Sequence, residues 1–257
     1  MSYEKLPQTA EFLKVVERLR KECPWDKKQT HRTLIPYLLE EAYEAVDAIE
    51  KKDVSSMKEE LGDLLLQVVL HSEIAKQKGH FDFESVVESI KDKMVRRHPH
   101  VFSNSTEVLS AEDQTKNWSK LKNAENPNRS LLSGTPRAMP ALQLAQRYGE
   151  IAASVNFDWP DISGVLDKVD EELAELQVEI RRRKRRPADL EMELGDLLFT
   201  LTRLASHLEI DAERSLKASC DKFKKRFGKV ESHFRKGKKR MTESSLTELE
   251  KVWRSVK

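Results

Sequence analysis

Glycine and cysteine are scarce in this chain of 257 residues, which has 8 glycines and 2 cysteines and contains no G-x-G-x-x-G or Walker loop. The missing loops disfavour a Rossmann-type enzyme. Charged residues make up 35% of the chain, compared with about a quarter in ordinary proteins. Few glycines and many charges are typical of long, solvated helices, and they exclude collagen-like, disulfide-rich and low-complexity proteins.

The 46 lysines and arginines nearly balance the 44 aspartates and glutamates, which leaves a net charge of +2. This balance excludes a strongly basic coat protein and argues against nucleic acid as a partner. Cys23 and Cys220 match no metal or redox spacing, and reduced thiols suit the cytosol. The N-terminus lacks an apolar signal core, and the most apolar stretch, Leu64–Leu70, is too short to span a bilayer. We therefore expect a cytoplasmic protein with no membrane partner.

The chain contains an internal duplication, in which blocks of similar residues recur in the same order at an offset of about 130 residues. The matched blocks are Leu39–Glu44 with Asp170–Glu175, Glu59–Leu65 with Met192–Leu198, Phe81–Glu84 with Ile210–Glu213, Lys93 and Arg97 with Lys222 and Arg226, and Trp118–Lys122 with Trp253–Lys257. Because the order and the offset are both kept, chance similarity is a poor explanation.

Two copies predict two domains, residues 1–125 and 136–257, with a linker at residues 126–135 in a stretch rich in proline, asparagine and serine. Apolar residues recur at helical spacing in each copy, and no segment alternates with period two. Each copy should form about four helices and a short helix that carries a tryptophan. Asp82 and Asp211 are predicted N-caps. The predicted fold class is all-α, a tandem of duplicated four-helix domains.

Each copy places acidic residues three and four apart on two consecutive predicted helices, where they share one helix face. These acids are Glu40, Glu41, Glu44, Glu60 and Asp63 in the first copy and Glu171, Glu172, Glu175, Glu193 and Asp196 in the second. A short connection predicts that the two helices pack antiparallel, and their acids would then repel unless cations neutralised them. Carboxylates without histidine or cysteine ligands suit Mg²⁺, which bridges to phosphates. We therefore expect Mg²⁺ and a phosphate-bearing ligand.

A solvated polar face is the alternative interpretation of these acids. It has support because polar residues form one stripe along the third helix of each copy. The stripes are Glu60, Asp63, Gln67 and His71 in the first copy and Glu193, Asp196, Thr200, Arg203 and His207 in the second. Recurrence in both copies favours a site instead. A glycine beside each aspartate, Gly62 and Gly195, predicts that another group approaches the helix closely there.

Basic residues four apart follow the acids at the same distance in both copies, as Lys93 with Arg97 and Lys222 with Arg226. They form either a surface basic face or a phosphate-binding face, and the repetition favours the latter. Trp253 is either a hydrophobic anchor or a stacking partner for a nucleobase. The run 181–186, five arginines and a lysine, occurs only in the second copy. It is a solvated loop by default, or it attracts triphosphates or weakly binds nucleic acid.

These motifs resemble the MazG family of all-α nucleoside triphosphate pyrophosphohydrolases. The resemblance rests on E-E-x-x-E followed by E-x-x-D in both copies, and on the segments Cys23–His31 and Arg96–Phe102, which are similar to the two-domain bacterial form. It implies Mg²⁺-dependent hydrolysis of ribo- and deoxynucleoside triphosphates to monophosphate and pyrophosphate. It also implies a homodimer with a house-cleaning role in the nucleotide pool of the cytoplasm.

The resemblance also implies roles for individual residues. The implied catalytic residues are Glu171, Glu172, Glu175, Glu193 and Asp196, of which the last four would hold Mg²⁺. The implied nucleotide contacts are Lys168, Glu171, Glu172, Lys222, Lys225, Arg226 and Trp253. We expect the second copy to be the main active site, because it adds Lys168 and more basic residues. The first copy, with Glu41, Glu44, Glu60 and Asp63 as its metal residues, would be structural and dimerising. A non-catalytic nucleotide sensor or helical adaptor is the rival function.

Overall fold

The computed structural model describes residues 7–102, 110, 130–237 and 239–256. The chain divides into two compact units, Met1–Ser110 and Ala111–Lys257. Every regular element in the described residues is a helix, and no strand occurs among them, so the predicted all-α class is confirmed. The segment Trp118–Lys122 and most of the predicted linker lie outside the described residues, and the exact domain boundaries stay a prediction.

The first unit consists of six described helices. They are α1 (Pro7–Glu22), α2 (Pro24–Lys28), α3 (Ile35–Lys51), α4 (Val54–Gln77), α5 (Phe83–Arg97) and α6 (Pro99–Phe102). Aspartates cap two of them, because the side chain of Asp53 accepts from the backbone N–H groups of Ser55 and Ser56, and that of Asp82 accepts from Ser85. Only Lys52 and Asp53 separate α3 from α4, and this short connection lets the two acid-bearing helices pack against each other.

The second unit repeats this arrangement with five described α-helices, and it also has two short 3-10 helices at Leu131–Gly134 and Met241–Glu243. The α-helices are α7 (Ala141–Ala153), α8 (Ile162–Arg181), α9 (Pro187–His207), α10 (Ala212–Lys236) and α11 (Leu246–Ser255). The predicted cap is confirmed at Asp211, which accepts from the Arg214 N–H, and Asp161 and Ser245 cap α8 and α11 in the same way. The acid-bearing helices α8 and α9 pack against each other, and α7 packs on α9.

The clusters of buried apolar residues in each unit do not include the apolar residues next to the acids. The core of the first unit is formed by Val16, Leu34, Val69, Leu70 and Ile74. In the second unit Val230, Phe234 and Val252 form a core between α10 and α11. The apolar residues next to the acids are exposed instead: about half of Leu61 and Leu194 is accessible. Their apolar faces are therefore not covered by the described part of the chain. None of the described helices is long and apolar enough to cross a membrane.

The polar stripes on α4 and α9 are buried in their later turns. Gln67, Thr200 and Arg203 are each at most 5% exposed, so that alternative interpretation is wrong at these positions. Arg203 is buried because its Nη2 donates to Asp158 Oδ2 at 2.5 Å, while His207 Nε2 lies 3.2 Å from the same oxygen. Asp158 stands in the loop before α8, so this ion pair ties that loop to α9.

The predicted close neighbour of Gly62 and Gly195 is not found. A Cβ atom added at either glycine would have no heavy atom within 4 Å in the described part of the chain. Two other glycines do have a close neighbour: Gly149 on α7 packs against the side chain of Arg203, and Gly164 on α8 packs against that of Trp159.

Candidate active site

Three carboxylates meet where α8 and α9 pack in the second unit. Glu172 and Glu175 come from α8 and Glu193 from α9, and one oxygen of each lies within 4.8 Å of the others. The three-residue spacing on α8 places its two acids on one face. Glu172 is 6% exposed, whereas Glu193 is half-buried and Glu175 is exposed. The arrangement is an acidic pocket with one buried wall and an open side.

The pKa of Glu193 is affected by the neighbouring carboxylates. Burial raises the pKa of Glu193, and the negative charges of Glu175, Asp196 and Glu172 raise it further. Asp196 is exposed and outside the group of three. Because the native state holds this proton more tightly than the unfolded chain, the free energy of unfolding falls as the pH rises from the ordinary pKa through the raised one. At neutral pH the repulsion is fully present, and a bound cation would relieve it.

Lys168 partly neutralises the pocket from within the same helix. Its Nζ lies 2.8 Å from Glu172 Oε1 and 3.1 Å from Glu171 Oε1. Hydrogen bonds to Glu172 and Glu171 raise the pKa of Lys168. The second oxygen of Glu172 is buried and has no hydrogen-bond partner within the described chain. A buried carboxylate oxygen without a partner is costly, and it fits the direct coordination of a cation.

Glu179 lies next to this acidic pocket, and the sequence alone did not indicate it. It lies on the same face of α8, one turn beyond Glu175, and is only 7% exposed. Its negative charge contributes to the raised pKa of Glu193, and Arg182 Nη1 lies 2.9 Å from its Oε2. The spacing of four from Glu175 was available in the sequence, but the first copy has Ala48 at the matching position, so the repeat did not point to Glu179.

The first unit has an acidic cluster of the same kind. One oxygen each of Glu41, Glu60 and Asp63 lies within 4.8 Å of the others. Glu44 is not one of these three residues, although its negative charge raises the pKa of Glu41 and of Glu60. Burial raises the pKa of Glu41, and Asp63 and Glu44 raise it further. Burial also raises the pKa of Glu60, and the negative charges of Glu44 and Asp63 raise it further. At the position that matches Lys168 the first copy has Tyr37, so this cluster lacks an internal lysine.

Unlike Lys168, the predicted nucleotide-binding cations of α10 form no ion pair with the acids in the described residues. Lys222 and Lys225 are exposed on α10, and no ion pair joins them or Arg226 to a carboxylate within the described residues. The Arg226 guanidinium stacks on Trp253 with its carbon 3.9 Å from the ring centroid, and its Nη2 donates to the Trp253 carbonyl at 2.8 Å. Trp253 also packs on the core of α10 and α11. The structure therefore supports its role as a hydrophobic anchor, and a nucleobase contact stays a prediction.

The arginine-rich run is an ordered corner between α8 and α9. Arg182 Nη1 lies 3.5 Å from Asp189 Oδ2, and Arg186 Nε is 3.5 Å from the same oxygen. Arg185 Nε donates to the carbonyl of Ile180 at 2.8 Å. Part of the positive charge of this run is thus paired locally. Cys23 and Cys220 are not joined by a disulfide bond in the structure.

The donor set of the second unit fits Mg²⁺. All its candidate ligands are carboxylate oxygens, which hard divalent cations prefer. Glu172 Oε2 is buried and without a partner, which leaves it available for such an ion. Glu172, Glu175 and Glu193 lie close enough together to share one cation, whereas Asp196 stays a predicted ligand.

Comparison with known proteins identifies the family of this chain. The sequence profile of the "MazG nucleotide pyrophosphohydrolase domain" matches residues 29–102 and 163–230. The chain is 42% identical over 258 residues to the "Nucleoside triphosphate pyrophosphohydrolase" of Escherichia coli (strain K12), covering 97% of each chain. The chain belongs to the MazG family. A second MazG relative, "Nucleoside triphosphate pyrophosphohydrolase/pyrophosphatase MazG" of Thermotoga maritima, is 40% identical over 251 residues, which cover 96% of this chain and 94% of the relative.

The two matched segments of the MazG domain contain the two acidic clusters. Residues 29–102 include Glu41, Glu60 and Asp63, and residues 163–230 include Glu172, Glu175 and Glu193. The duplication inferred from the sequence is therefore a duplication of this domain, and the expected family is confirmed.

Proposed function

We propose that this MazG-family chain hydrolyses nucleoside triphosphates, ribo- and deoxynucleotides alike, to monophosphate and pyrophosphate with Mg²⁺, and that the second unit is its main active site. The observation that supports this most directly is the group formed by Glu172, Glu175 and Glu193, with a buried, unpartnered oxygen on Glu172. The names of the relatives from Escherichia coli and Thermotoga maritima support the same substrate class. We assign to this activity a house-cleaning role in the nucleotide pool of the cytoplasm.

The acids of the second unit would act together in this reaction. Glu172, Glu175, Glu193 and Asp196 would hold Mg²⁺, which polarises phosphate groups and favours ionisation of water. Glu171 is a candidate to orient the attacking water, because its side chain is 57% exposed and lies beside the group of three without belonging to it.

The basic residues would bind the anionic part of the nucleotide. Lys168, Lys222 and Lys225 would contact phosphate oxygens and balance the charge that develops on the leaving pyrophosphate. Arg226 and Trp253 would contact the nucleotide as one unit, because the guanidinium is stacked on the indole ring. Since Lys222, Lys225 and Arg226 make no contact with the acids in the described residues, this step requires the nucleotide to bridge the two groups.

Pyrophosphate release from a panel of nucleotides tests the proposal. We expect the full chain to release pyrophosphate from ribo- and deoxynucleoside triphosphates in the presence of Mg²⁺, and to release none after chelation with EDTA. Orthophosphate is measured in parallel, because its release would indicate cleavage at the terminal phosphate instead. If no nucleotide yields pyrophosphate, the rival role as a nucleotide sensor or helical adaptor is favoured.

The exposed apolar faces beside the acids support a homodimer. Leu166, Leu173 and Ile180 recur every seven residues on α8 and are 40–46% exposed, and contiguous apolar surface of this kind marks interfaces. We expect sedimentation velocity to give twice the chain mass of 29.8 kDa. Leu198→Glu, on the exposed apolar face of α9, should shift the protein toward the monomer. A monomeric wild type at micromolar concentration would refute the homodimer.

A further inference from the structure

One face of α8 carries acids in its middle and cations at both ends. Lys168, Glu172, Glu175, Glu179 and Arg182 are spaced by four, three, four and three residues, so they lie along a single stripe. Lys168 pairs with Glu172 and Arg182 pairs with Glu179. The central acid, Glu175, has no ion-pair partner within the described residues. Two of the three acids in this stripe are thus neutralised by cations of the same stripe when no divalent cation is bound.

The pairing of Lys168 with Glu172 is incomplete. Only Oε1 of Glu172 faces the ammonium group, at 2.8 Å, while Oε2 is buried and unpartnered. The side chain of Glu172 is 7% exposed, but that of Lys168 is 31% exposed. A long lysine side chain at the edge of a pocket can rotate away at small cost, whereas the buried glutamate is fixed. Glu172 is therefore a fixed site whose cation can be exchanged.

We propose that Lys168 is an exchangeable internal counter-ion of Glu172. Lys168 neutralises Glu172 while no divalent cation is bound, and it is displaced toward the triphosphate when the cation takes its place. This inference rests on the proposed function of the second unit. Lys168 would thus have two successive partners, Glu172 and then the triphosphate.

The exchange couples the binding of cation and nucleotide. A cation that binds alone must break the ion pair between Lys168 and Glu172, and it leaves the ammonium with only the exposed carboxylate of Glu171 as its partner. When a triphosphate is present, the displaced ammonium gains phosphate oxygens instead. Each ligand should therefore strengthen the binding of the other, and the coupling must be reciprocal. Metal affinity in the absence of nucleotide should be low in the second unit for this reason.

The first unit provides an internal comparison. Its matching residue is Tyr37, and no ion pair reaches Glu41, Glu60 or Asp63 within the described residues. A cation that binds this cluster has no lysine to displace. Binding there should consequently be independent of nucleotide, and Glu41→Gln is a suitable background in which to weaken it and isolate the second unit.

The test is a titration with Mn²⁺, followed by electron paramagnetic resonance of the free ion. It is made on the full chain in the Glu41→Gln background, with and without the α,β-methylene analogue of ATP. We expect Lys168→Met to bind Mn²⁺ about tenfold more tightly than the parent when no nucleotide is present, because one competing positive charge is removed. The analogue should strengthen Mn²⁺ binding more in the parent than in Lys168→Met, after subtraction of the Mn²⁺ that the analogue binds without protein, because only the parent has a displaced lysine to pair with the phosphates. Lys168→Arg, which keeps the competing charge, should restore the weak binding of the parent.

Lys78→Met is the matched control, because it removes the same charge from an exposed position in the first unit. It should leave Mn²⁺ affinity unchanged. Equal or weaker Mn²⁺ binding by Lys168→Met, in a parent that releases pyrophosphate, overturns the exchange but not the proposed function. A wild type that neither binds Mn²⁺ nor releases pyrophosphate overturns both.

Discussion

Glu172→Gln is expected to lower the rate of pyrophosphate release about a thousandfold, whereas Glu41→Gln should leave most of it. The two residues hold matching positions in the duplication. Glu172 is the most buried acid of its cluster and has an oxygen without a partner, so the amide would replace a fixed cation ligand by a much weaker one. Because glutamine has the same shape, the loss would come from the missing charge and not from repacking.

The second unit is expected to carry the activity because of what surrounds its acids. Lys168 pairs with Glu172, and the charge of Glu179 acts on Glu193. The first copy has Tyr37 and Ala48 at the matching positions. Initial rates at saturating Mg²⁺ and nucleotide, measured for both variants at matched concentration, decide the question. Circular dichroism of each variant establishes that it is folded. Equal losses in Glu172→Gln and Glu41→Gln would refute the assignment to the second unit.

The acidic pocket was predictable from the sequence because it depends on local spacing and on one short connection. Acids three apart on a helix share a face whatever the rest of the fold does, and the short connection between α3 and α4 brings two such faces together. Repetition then separated Glu172 and Glu193 from the many other charges of the chain. The N-caps Asp82 and Asp211 were predictable for the same reason, since a cap depends only on the next three residues.

Burial of polar residues could not be predicted in this way. Thr200 and Arg203 continue the stripe of Glu193 along α9, and on a single helix such a stripe resembles a solvated face. Whether the stripe is covered depends on Asp158, which is 45 residues away from Arg203. The stacking of Arg226 on Trp253 likewise depends on how α11 packs against α10. Both contacts are made between distant segments, for which one sequence carries no direct signal.

Gly149→Ala is expected to lower the free energy of unfolding by about 3 kcal/mol, as the disruption of a buried ion pair does. An added Cβ atom would overlap the guanidinium of Arg203. Because Arg203 is 5% exposed and its Nη2 donates to Asp158, we expect the shift that relieves this overlap to disrupt the ion pair. Burial alone would raise the pKa of Asp158, but the hydrogen bonds from Arg203 and His207 lower it below its ordinary value. The native pair therefore stabilises the fold above that ordinary pKa and loses this contribution as the pH falls through the lowered one.

Urea unfolding followed by circular dichroism at neutral pH measures this loss, with Gly228→Ala as the matched control. Gly228 is also inside a helix, but a Cβ atom there would meet nothing within 4 Å, so alanine should stabilise the protein by up to about 1 kcal/mol. Arg203→Leu separates the clash from the helix propensity of alanine. It should destabilise the protein by itself, because Asp158 loses the guanidinium and keeps only His207 as a side-chain partner. Adding Gly149→Ala to it should cost little more, since the guanidinium with which the methyl group collides is gone. Additive losses in the double variant would show that Gly149 is required for a reason other than the close approach of Arg203.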